Sequence, residues 1–428
     1  MLISMSETQL SIAINKTLDF LKKTYRSIPD EEMYGWYHYL DDPKPGITAS
    51  SVVLYCFNLV GNPFERTEEV LLYLKRKQVI SEKKKIHGGW PVRTTMNFPI
   101  LESTSWVLRS SALNHALLNN NAPDISAGYD WIINNQNTDY GWGSYLDQPS
   151  RTFTTSLALL ALSSLNKYSK ELSLGADWLL KNQSADVPAW GAIPESQPTL
   201  LHTCWALLAL SEIPNKLNRK SLSSSLEWVE KNVIANSLTE VSSQAEDYDI
   251  PFVDDNKSMV FQCSLPHFYL PIATYTLLKL SKDTVSNKAI QSVKTILNHQ
   301  TDEGIWELPR SPMRPSIWAI WPFLSALHQA REIVLLRNNM ELNLFSNNVV
   351  IVKSKNSSNS LLRIFLSSLK VSVKNFIKKN YGWLILILFI ISGLIFVKYN
   401  LITWKEFLLA QIFPVILLII QFILNKKK

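Results

Sequence analysis

The sequence predicts an all-α fold, an (α/α)6 toroid in which twelve helices form a double ring, followed by a C-terminal transmembrane helical hairpin. Three observations support this. Helices that are apolar on almost every side alternate with amphipathic ones, and two long uncharged apolar runs close the chain. In addition, a tight turn recurs as Gly35-Trp36, Gly89-Trp90, Gly141-Trp142, the reversed Trp190-Gly191 and Gly304-Ile305-Trp306.

The six apolar helices are predicted to form the inner ring. They begin near Thr48, Glu102, Thr154, His202, His267 and Ser316, about every fifty residues with one longer step across 212–266. A helix that is apolar around most of its circumference must be buried on nearly every side. One helical pair cannot bury itself, so copies of the pair must pack around it.

The amphipathic helices are predicted to form the outer ring. They lie near 8–27, 66–78, 123–136, 171–183, 218–235 and 285–300. In the first of them, Leu10, Ile14, Leu18 and Leu21 share one face. Short connections make neighbouring helices antiparallel, and closing the ring leaves no terminal repeat with an exposed apolar face.

The longest break in the repeat, 236–265, contains Asp247, Asp249, Asp254 and Asp255. Insertions in repeat arrays usually lie on one face, and some serve as lids or binding loops. We expect a solvated, partly disordered acidic loop here, with a lid or binding loop as the alternative.

The net charge of +7 comes from the end of the chain. From Ser346 onward there are 12 Lys and Arg against a single acid, Glu406, whereas residues 1–345 carry 31 basic and 35 acidic residues. A basic tail on a mildly acidic domain argues against a nucleic-acid partner. The three cysteines, Cys56, Cys204 and Cys263, are predicted to be free thiols in a reducing compartment. The N-terminus shows no cleavable signal peptide.

The toroid is predicted to comprise residues 1–345. The tail that follows it is predicted to associate with a membrane. Composition changes to Asn, Ser and Lys near 338–360, which predicts a flexible linker, assigned to 346–360. Residues 361–379 form a basic amphipathic pattern typical of a helix on an anionic lipid surface. The alternative is a solvated basic helix packed on the ring.

Residues 380–428 contain two uncharged runs, 380–397 and 407–425, each close to the ~20 residues that span a bilayer. Basic residues before the first run and after the second place the toroid and both termini in the cytoplasm. A hairpin of this kind also offers a surface for homo-oligomers.

The turns resemble those of a known family. Trp131-x4-Gln136-x4-Gly141-Trp142, Gln300-x3-Gly304-x-Trp306 and the looser Trp178-x4-Gln183-x6-Trp190 look like the Gln–Trp repeat of squalene and other triterpene cyclases. The inner segments that begin at Glu102 and His202 resemble those enzymes and the β-subunits of protein prenyltransferases. The resemblance implies a central cavity that binds an isoprenoid or another hydrophobic ligand, with the Gln and Trp of the repeat in structural roles.

The catalytic residues of that family are incomplete here. Type II terpene cyclases use the middle Asp of an Asp-x-Asp-Asp motif, which the sequence lacks, so Asp247, Asp249, Asp254, Asp255 and His202 are the candidate catalytic residues. Protein prenyltransferases hold zinc with an Asp-x-Cys pair and a His; His202-Thr203-Cys204 matches the His segment, but Glu102-Ser103-Thr104 stands where the pair is needed. We therefore expect no cofactor and no metal, with zinc and magnesium left open and with His202, Cys204 and His267 as the candidate ligands.

Arginines recur in the loops between turn and inner helix, as Arg93, Arg151, Arg310 and Arg314. Because these loops are equivalent, the side chains should gather at one mouth of the ring and bind an anionic head group. The apolar part of the ligand would then lie between Trp106, Trp205, Tyr269, Tyr275, Trp318 and Trp321, with His202 at the rim. The alternative is that the arginines pair with Asp147, Glu102 or Glu307 and hold the loops.

Three functional classes fit these features. The one favoured is a membrane-tethered toroid that binds an isoprenoid-like or other anionic amphiphile without the cyclase or zinc chemistry. The second is a terpene cyclase-like or prenyltransferase-like enzyme with an unrecognised acid or metal, so whether the protein is an enzyme stays open. The third is a two-span membrane effector with the toroid as sensor, as in some bacterial defence proteins.

Overall fold

The chain divides into two units, Met1–Asn347 and Asn348–Lys428. The computed structural model describes residues 6–40, 44–92, 98–114, 122–167, 169–238, 243–254, 257–281, 285–306 and 317–346. For 243–266, 318 and 337–346 it describes the backbone only.

Twelve α-helices are found among these residues, and they alternate between an outer and an inner ring as expected. The outer helices are α1 (Glu7–Thr24), α3 (Thr67–Arg76), α5 (Ile125–Asn134), α7 (Lys170–Lys181), α9 (Arg219–Asn232) and α11 (Asn287–Asn298). The inner helices are α2 (Ile47–Leu59), α4 (Leu101–Leu113), α6 (Thr152–Ser164), α8 (Leu200–Ser211), α10 (Tyr269–Leu280) and α12 (Trp321–Ser346). Each inner helix packs on the next, and α12 packs on α2, which closes the ring.

Burial follows the sequence pattern closely. In α6, every residue from Thr152 to Leu162 is buried, whereas α1 buries only the face that includes Leu10, Ile14, Leu18 and Leu21. An inner helix is covered by two inner neighbours and by outer helices, so its whole circumference is removed from water. The hydrophobic core is therefore one continuous layer between and within the two rings.

The tryptophan of each turn joins an outer helix to the inner helix that follows it. The indole Nε1 of Trp142 donates to the carbonyl of Ile132 in α5 at 2.8 Å, and its backbone N–H donates to Thr155 Oγ1 in α6 at 3.0 Å. The indole Nε1 also donates to an outer-helix carbonyl in Trp36, Trp90, Trp190 and Trp306, with N···O distances of 2.6–2.8 Å. These buried polar groups are satisfied, which makes the turn a rigid link between the two rings.

The glutamine of each repeat joins one outer helix to the next. Gln78 Nε2 donates to the carbonyl of Asp124 at 2.8 Å, and Gln136 Nε2 donates to that of Glu171 at 3.0 Å. Gln183 Nε2 donates to Ser225 Oγ at 3.3 Å. The structural role expected for these glutamines is confirmed, and Gln78, which the repeat pattern missed, has it too.

Gln300 closes the outer ring. Its Nε2 donates to the carbonyl of Ala13 and to Thr17 Oγ1, both at 2.9 Å and both in α1. Thr17 Oγ1 in turn donates to the carbonyl of Gly304 at 2.6 Å. Gly304 has φ +93°, and a Cβ there would lie 2.6 Å from the backbone of Lys16, so this contact needs glycine.

Three features differ from the sequence predictions. The break at 236–265 contains an antiparallel hairpin instead of a solvated loop, formed by β3 (Ser243–Asp254) and β4 (Lys257–Phe268). Alternation of polar and apolar residues along both segments explains it, because a period of two favours strands. A short hairpin, β1 (Arg26–Ile28) with β2 (Met33–Gly35), also precedes α2. Finally, α12 runs to Ser346, through the start of the stretch near 338 that composition predicted to be linker.

The helices in the described part of the chain are too short or too polar to cross a membrane. The linker predicted for 346–360, apart from Ser346, lies outside the described residues. So do the basic helix at 361–379 and the apolar runs at 380–397 and 407–425.

We predict that Gln300→Ala destabilises the toroid by about 1–3 kcal/mol, because it removes both hydrogen bonds from Gln300 Nε2 to α1. Urea unfolding followed by circular dichroism measures this. The matched control is Gln291→Ala, an exposed position on α11, the helix that ends two residues before Gln300; for it we expect less than about 0.5 kcal/mol. Equal effects of the two substitutions would show that the Gln300 contact contributes nothing to ring closure.

Candidate functional site

Three indole rings meet at the axis of the inner ring. The ring centroids of Trp106 in α4 and Trp321 in α12 lie 5.3 Å apart, and those of Trp205 in α8 and Trp321 lie 5.1 Å apart. Neither pair of helices is adjacent in the ring, so both contacts cross its centre. The axis of the toroid is therefore occupied by side chains.

Every inner helix contributes one aromatic ring to this contact network. Tyr55 of α2 lies 5.4 Å from Trp106, Phe153 of α6 lies 5.1 Å from Trp205, and Tyr275 of α10 lies 6.4 Å from Trp321, measured between centroids. We call the six rings the axial cluster; its members are Tyr55, Trp106, Phe153, Trp205, Tyr275 and Trp321. Four of them, Trp106, Trp205, Tyr275 and Trp321, belong to the ligand-binding set predicted from the sequence; Tyr55 and Phe153 do not.

The central cavity expected from the sequence stays a prediction, because residues 93–97 and 307–316, between turn and inner helix, lie outside the described residues. Among the described residues, a cavity of about 10 Å³ lies beside the axial cluster, enough for one water molecule at most. Its lining consists of Leu201, Trp205, His267, Phe268, Ile272, Ala319, Trp321 and Pro322. The large rings of the axial cluster occupy the space between the inner helices at this level.

One polar group of the axial cluster is left unsatisfied. The Nε1 of Trp205 is buried and has no hydrogen-bond acceptor among the described residues. The five turn tryptophans, in contrast, each donate to a backbone carbonyl. A buried donor without an acceptor is unfavourable for stability alone, so it marks the axis as a place where another acceptor can bind.

Arg109 is the functional residue that the sequence reasoning missed. It lies in α4, three residues after Trp106, and only 8% of it is exposed. Its guanidinium lies 4.5 Å from the ring centroids of both Tyr55 and Trp106, and its Nη2 donates to Tyr55 Oη at 3.0 Å. The sequence could have indicated Arg109, because it lies in a helix that is predicted to be buried on all sides. Charged residues are rarely buried unless they have a partner or a function.

The candidate metal ligands occupy different environments. His202 is buried, and its Nδ1 lies 2.6 Å from Thr199 Oγ1, whereas the ring of His267 packs on Phe153 at 5.1 Å. Burial raises the pKa of the Cys204 thiol to about 12, with a hydrogen bond involving Thr276 acting in the opposite direction. Cys204 is thus a neutral thiol that faces α10 while the neighbouring Trp205 faces the axis. The part of the chain that the structure describes holds no group of three metal-binding side chains.

The other predicted site residues are only partly described. Arg151 is half-buried and begins α6, and Tyr269 is buried at the start of α10. Asp147 was one of the expected partners of the loop arginines. Its Oδ1 forms an ion pair with Lys85 Nζ at 3.3 Å. The side chains of Asp247, Asp249, Asp254 and Trp318 are not described, and Arg93, Asp255, Arg310 and Arg314 lie outside the described residues, so the predicted arginine mouth stays a prediction.

Solved structures show the same architecture. The type II terpene cyclase MstE from Scytonema, in its apo form, matches with a TM-score of 0.51 and 13% sequence identity, over 78% of this chain and 100% of that one. The chain has a terpene cyclase-like α/α toroid fold. A variant of MstE in complex with its substrate, geranylgeranyl dihydroxybenzoate, gives a TM-score of 0.50 at 13% identity, over 77% and 99% of the two chains.

A protein from Actinoplanes is similar to the same degree, with a TM-score of 0.50 and 15% identity over 76% of this chain and 99% of that one. No protein-family model and no curated protein sequence matches the chain. At these identities the similarity establishes the terpene cyclase-like fold, and the chemistry has to be argued from this chain's own residues.

We predict that Trp190→Phe and Trp205→Phe differ in stability although both side chains are almost fully buried. Trp190 loses the indole bond to the Leu179 carbonyl, of 2.7 Å, and Trp205 loses no hydrogen bond. We expect Trp190→Phe to cost about 1 kcal/mol more, the usual net contribution of such a bond. Urea unfolding of both variants measures the difference; an equal cost would contradict the division of the tryptophans into turn and axial sets.

Proposed function

We propose that the terpene cyclase-like toroid is a binding protein for an amphiphile with an isoprenoid-like apolar chain and an anionic head group. The observation that supports this is the axial cluster: each inner helix contributes one aromatic ring to a continuous contact network, and the Nε1 of Trp205 has no acceptor among the described residues. Aromatic faces suit an unsaturated apolar chain, and an unused N–H can donate to a polar group of a ligand.

Binding at the axis requires the aromatic rings to move. The cavity of about 10 Å³ cannot hold an isoprenoid chain, so the ligand has to displace at least one indole of the axial cluster. Trp205 and Trp321 border that cavity, and displacing either one extends it along the axis. The MstE complex supports the class of ligand, because a toroid of the same fold holds a geranylgeranyl substrate.

The proposal assigns no catalytic step to the protein. The sequence has no Asp-x-Asp-Asp motif, and the Cys204 thiol stays neutral because burial raises its pKa to about 12. Binding without turnover is the function that uses the residues present.

The proposal also places the toroid at a membrane surface, with both termini in the cytoplasm. It rests on the basic amphipathic pattern at 361–379 and on the two uncharged apolar runs at 380–397 and 407–425. An amphiphile of the isoprenoid class partitions into the same membrane, which raises its local concentration near a tethered toroid. A tether therefore serves the proposed binding function.

Binding is tested by titrating the purified full chain in detergent with geranylgeraniol, geranylgeranoic acid and geranylgeranyl monophosphate, following tryptophan fluorescence and calorimetry. We expect saturable binding, and we expect Trp205→Leu to bind about tenfold more tightly because no ring has to be displaced. The matched control is Trp190→Leu, which shortens an equally buried tryptophan away from the axis and should leave the affinity unchanged. Failure of both the wild-type chain and Trp205→Leu to bind would overturn the proposal.

Membrane attachment is tested by fractionating cells that express the full chain or a chain ending at residue 346. We expect the full chain to resist extraction with alkaline carbonate and the shortened chain to remain in the supernatant, because the apolar runs then are missing. Replacing Leu386 and Leu417 with Asp in the full chain, one in each run, should also release it. Carbonate extraction of the unaltered full chain would contradict the tether.

A further inference from the structure

Arg109 carries a buried positive charge that no acidic group of the described residues neutralises. Its guanidinium contacts two ring faces and one phenol oxygen, and its Nη1 is buried without any hydrogen-bond acceptor. A guanidinium remains protonated in proteins, so burial cannot remove this charge. Faces of aromatic rings attract a cation, but less strongly than a carboxylate does in a desolvated setting.

Two half-buried cations of the inner helices, in contrast, have acidic partners. Lys279, late in α10, forms an ion pair with Glu212, and Arg331 in α12 lies 3.5 Å from Glu332. The nearest acid on the helix of Arg109 itself is Glu102, seven residues away and so about 10 Å along the axis. The charge of Arg109 is therefore an exception in this part of the molecule.

The surroundings of Arg109 suit an oxyanion. Burial raises the pKa of the Tyr275 phenol, while the nearby Lys279 and Arg109 act in the opposite direction. The phenol consequently stays protonated at neutral pH and can donate a hydrogen bond. Trp106 contacts both Arg109 and Trp321, so the guanidinium borders the axial cluster directly.

We propose that Arg109 binds the anionic head group of the amphiphile, a carboxylate or a phosphate monoester, through its unpaired Nη1. This rests on the proposed binding function and locates the head group on the Arg109 side of the axial tryptophans, in place of the predicted mouth that includes Arg151. The planar guanidinium matches the two oxygens of either anion, and the bond would neutralise the buried charge. The apolar chain then extends from Arg109 past Trp106 and Trp321 along the axis.

The binding test uses three probes with the same chain: geranylgeranoic acid, geranylgeranyl monophosphate and geranylgeraniol, titrated into the full chain. We expect wild type to bind at least one of the two anions about tenfold or more tightly than the alcohol. Arg109→Met should abolish that preference and keep the affinity for the alcohol, and Arg109→Lys should retain part of it. The stronger of the two anions identifies the head group as carboxylate or phosphate.

Arg331→Met is the matched control, since its guanidinium also has a buried nitrogen without an acceptor but is paired with Glu332. It should keep the anion preference, and so should Arg151→Gln. Equal binding of all three probes by wild type, or loss of the preference in Arg151→Gln but not in Arg109→Met, overturns the inference and leaves the proposed function intact. If none of the probes binds, the proposed function and this inference fall together.

The unfolding temperature of the ligand-free chain tests the assignment without any ligand. If Arg109 is present for binding, removing an unneutralised buried charge should leave the Tm of Arg109→Met unchanged or raise it by about 2–4 °C. If Arg109 instead stabilises the fold through its contacts with Tyr55 and Trp106, the Tm of Arg109→Met should fall by as much as we expect for Trp190→Phe. A fall of that size overturns the inference whatever the binding data show.

Discussion

The hydrogen bonds of Gln300 to α1 are the contacts on which the rest of the toroid depends. They connect the last outer helix to the first, more than 280 residues earlier in the chain. With the ring closed, α12 can pack on α2, and each inner helix has two inner neighbours. Only then are the terminal inner helices α2 and α12 covered on both sides, and without closure an apolar edge of each would face water.

Tryptophans serve two separate purposes in this molecule. Those of the turns, such as Trp142, donate their indole N–H to an outer-helix carbonyl and hold the two rings in register. In the axial cluster, Trp205 is buried equally well but leaves that donor without an acceptor among the described residues. The same residue type thus supports the scaffold in one place and forms the proposed binding surface in the other.

The axial site combines features that oppose stability. An indole donor and a guanidinium are both buried without full compensation, at positions surrounded by well-packed helices. Such groups persist where a ligand supplies the missing partner, because binding then gains what folding lost. Arg109 lies beside the ring of Trp106 and Trp205 lies beside that of Trp321, so one ligand with a polar head group and an apolar chain can contact both.

Local sequence determined the helices, the turns and the Gln and Trp contacts, because these depend on periodicity and on residues close to one another in a repeat. The hairpin β3–β4 could also have been predicted from the sequence, because polar and apolar residues alternate within both strands. The acidic residues led to the prediction of a loop instead.

How far side chains fill the centre of the ring was decided only by the tertiary structure. Periodicity shows that Trp106, Trp205 and Trp321 face inward, yet the distances between rings on non-adjacent helices depend on the radius of the closed ring. The environment of Arg109 was decided in the same way, because the absence of an acidic partner among the described residues is a property of helices that are far apart in the sequence.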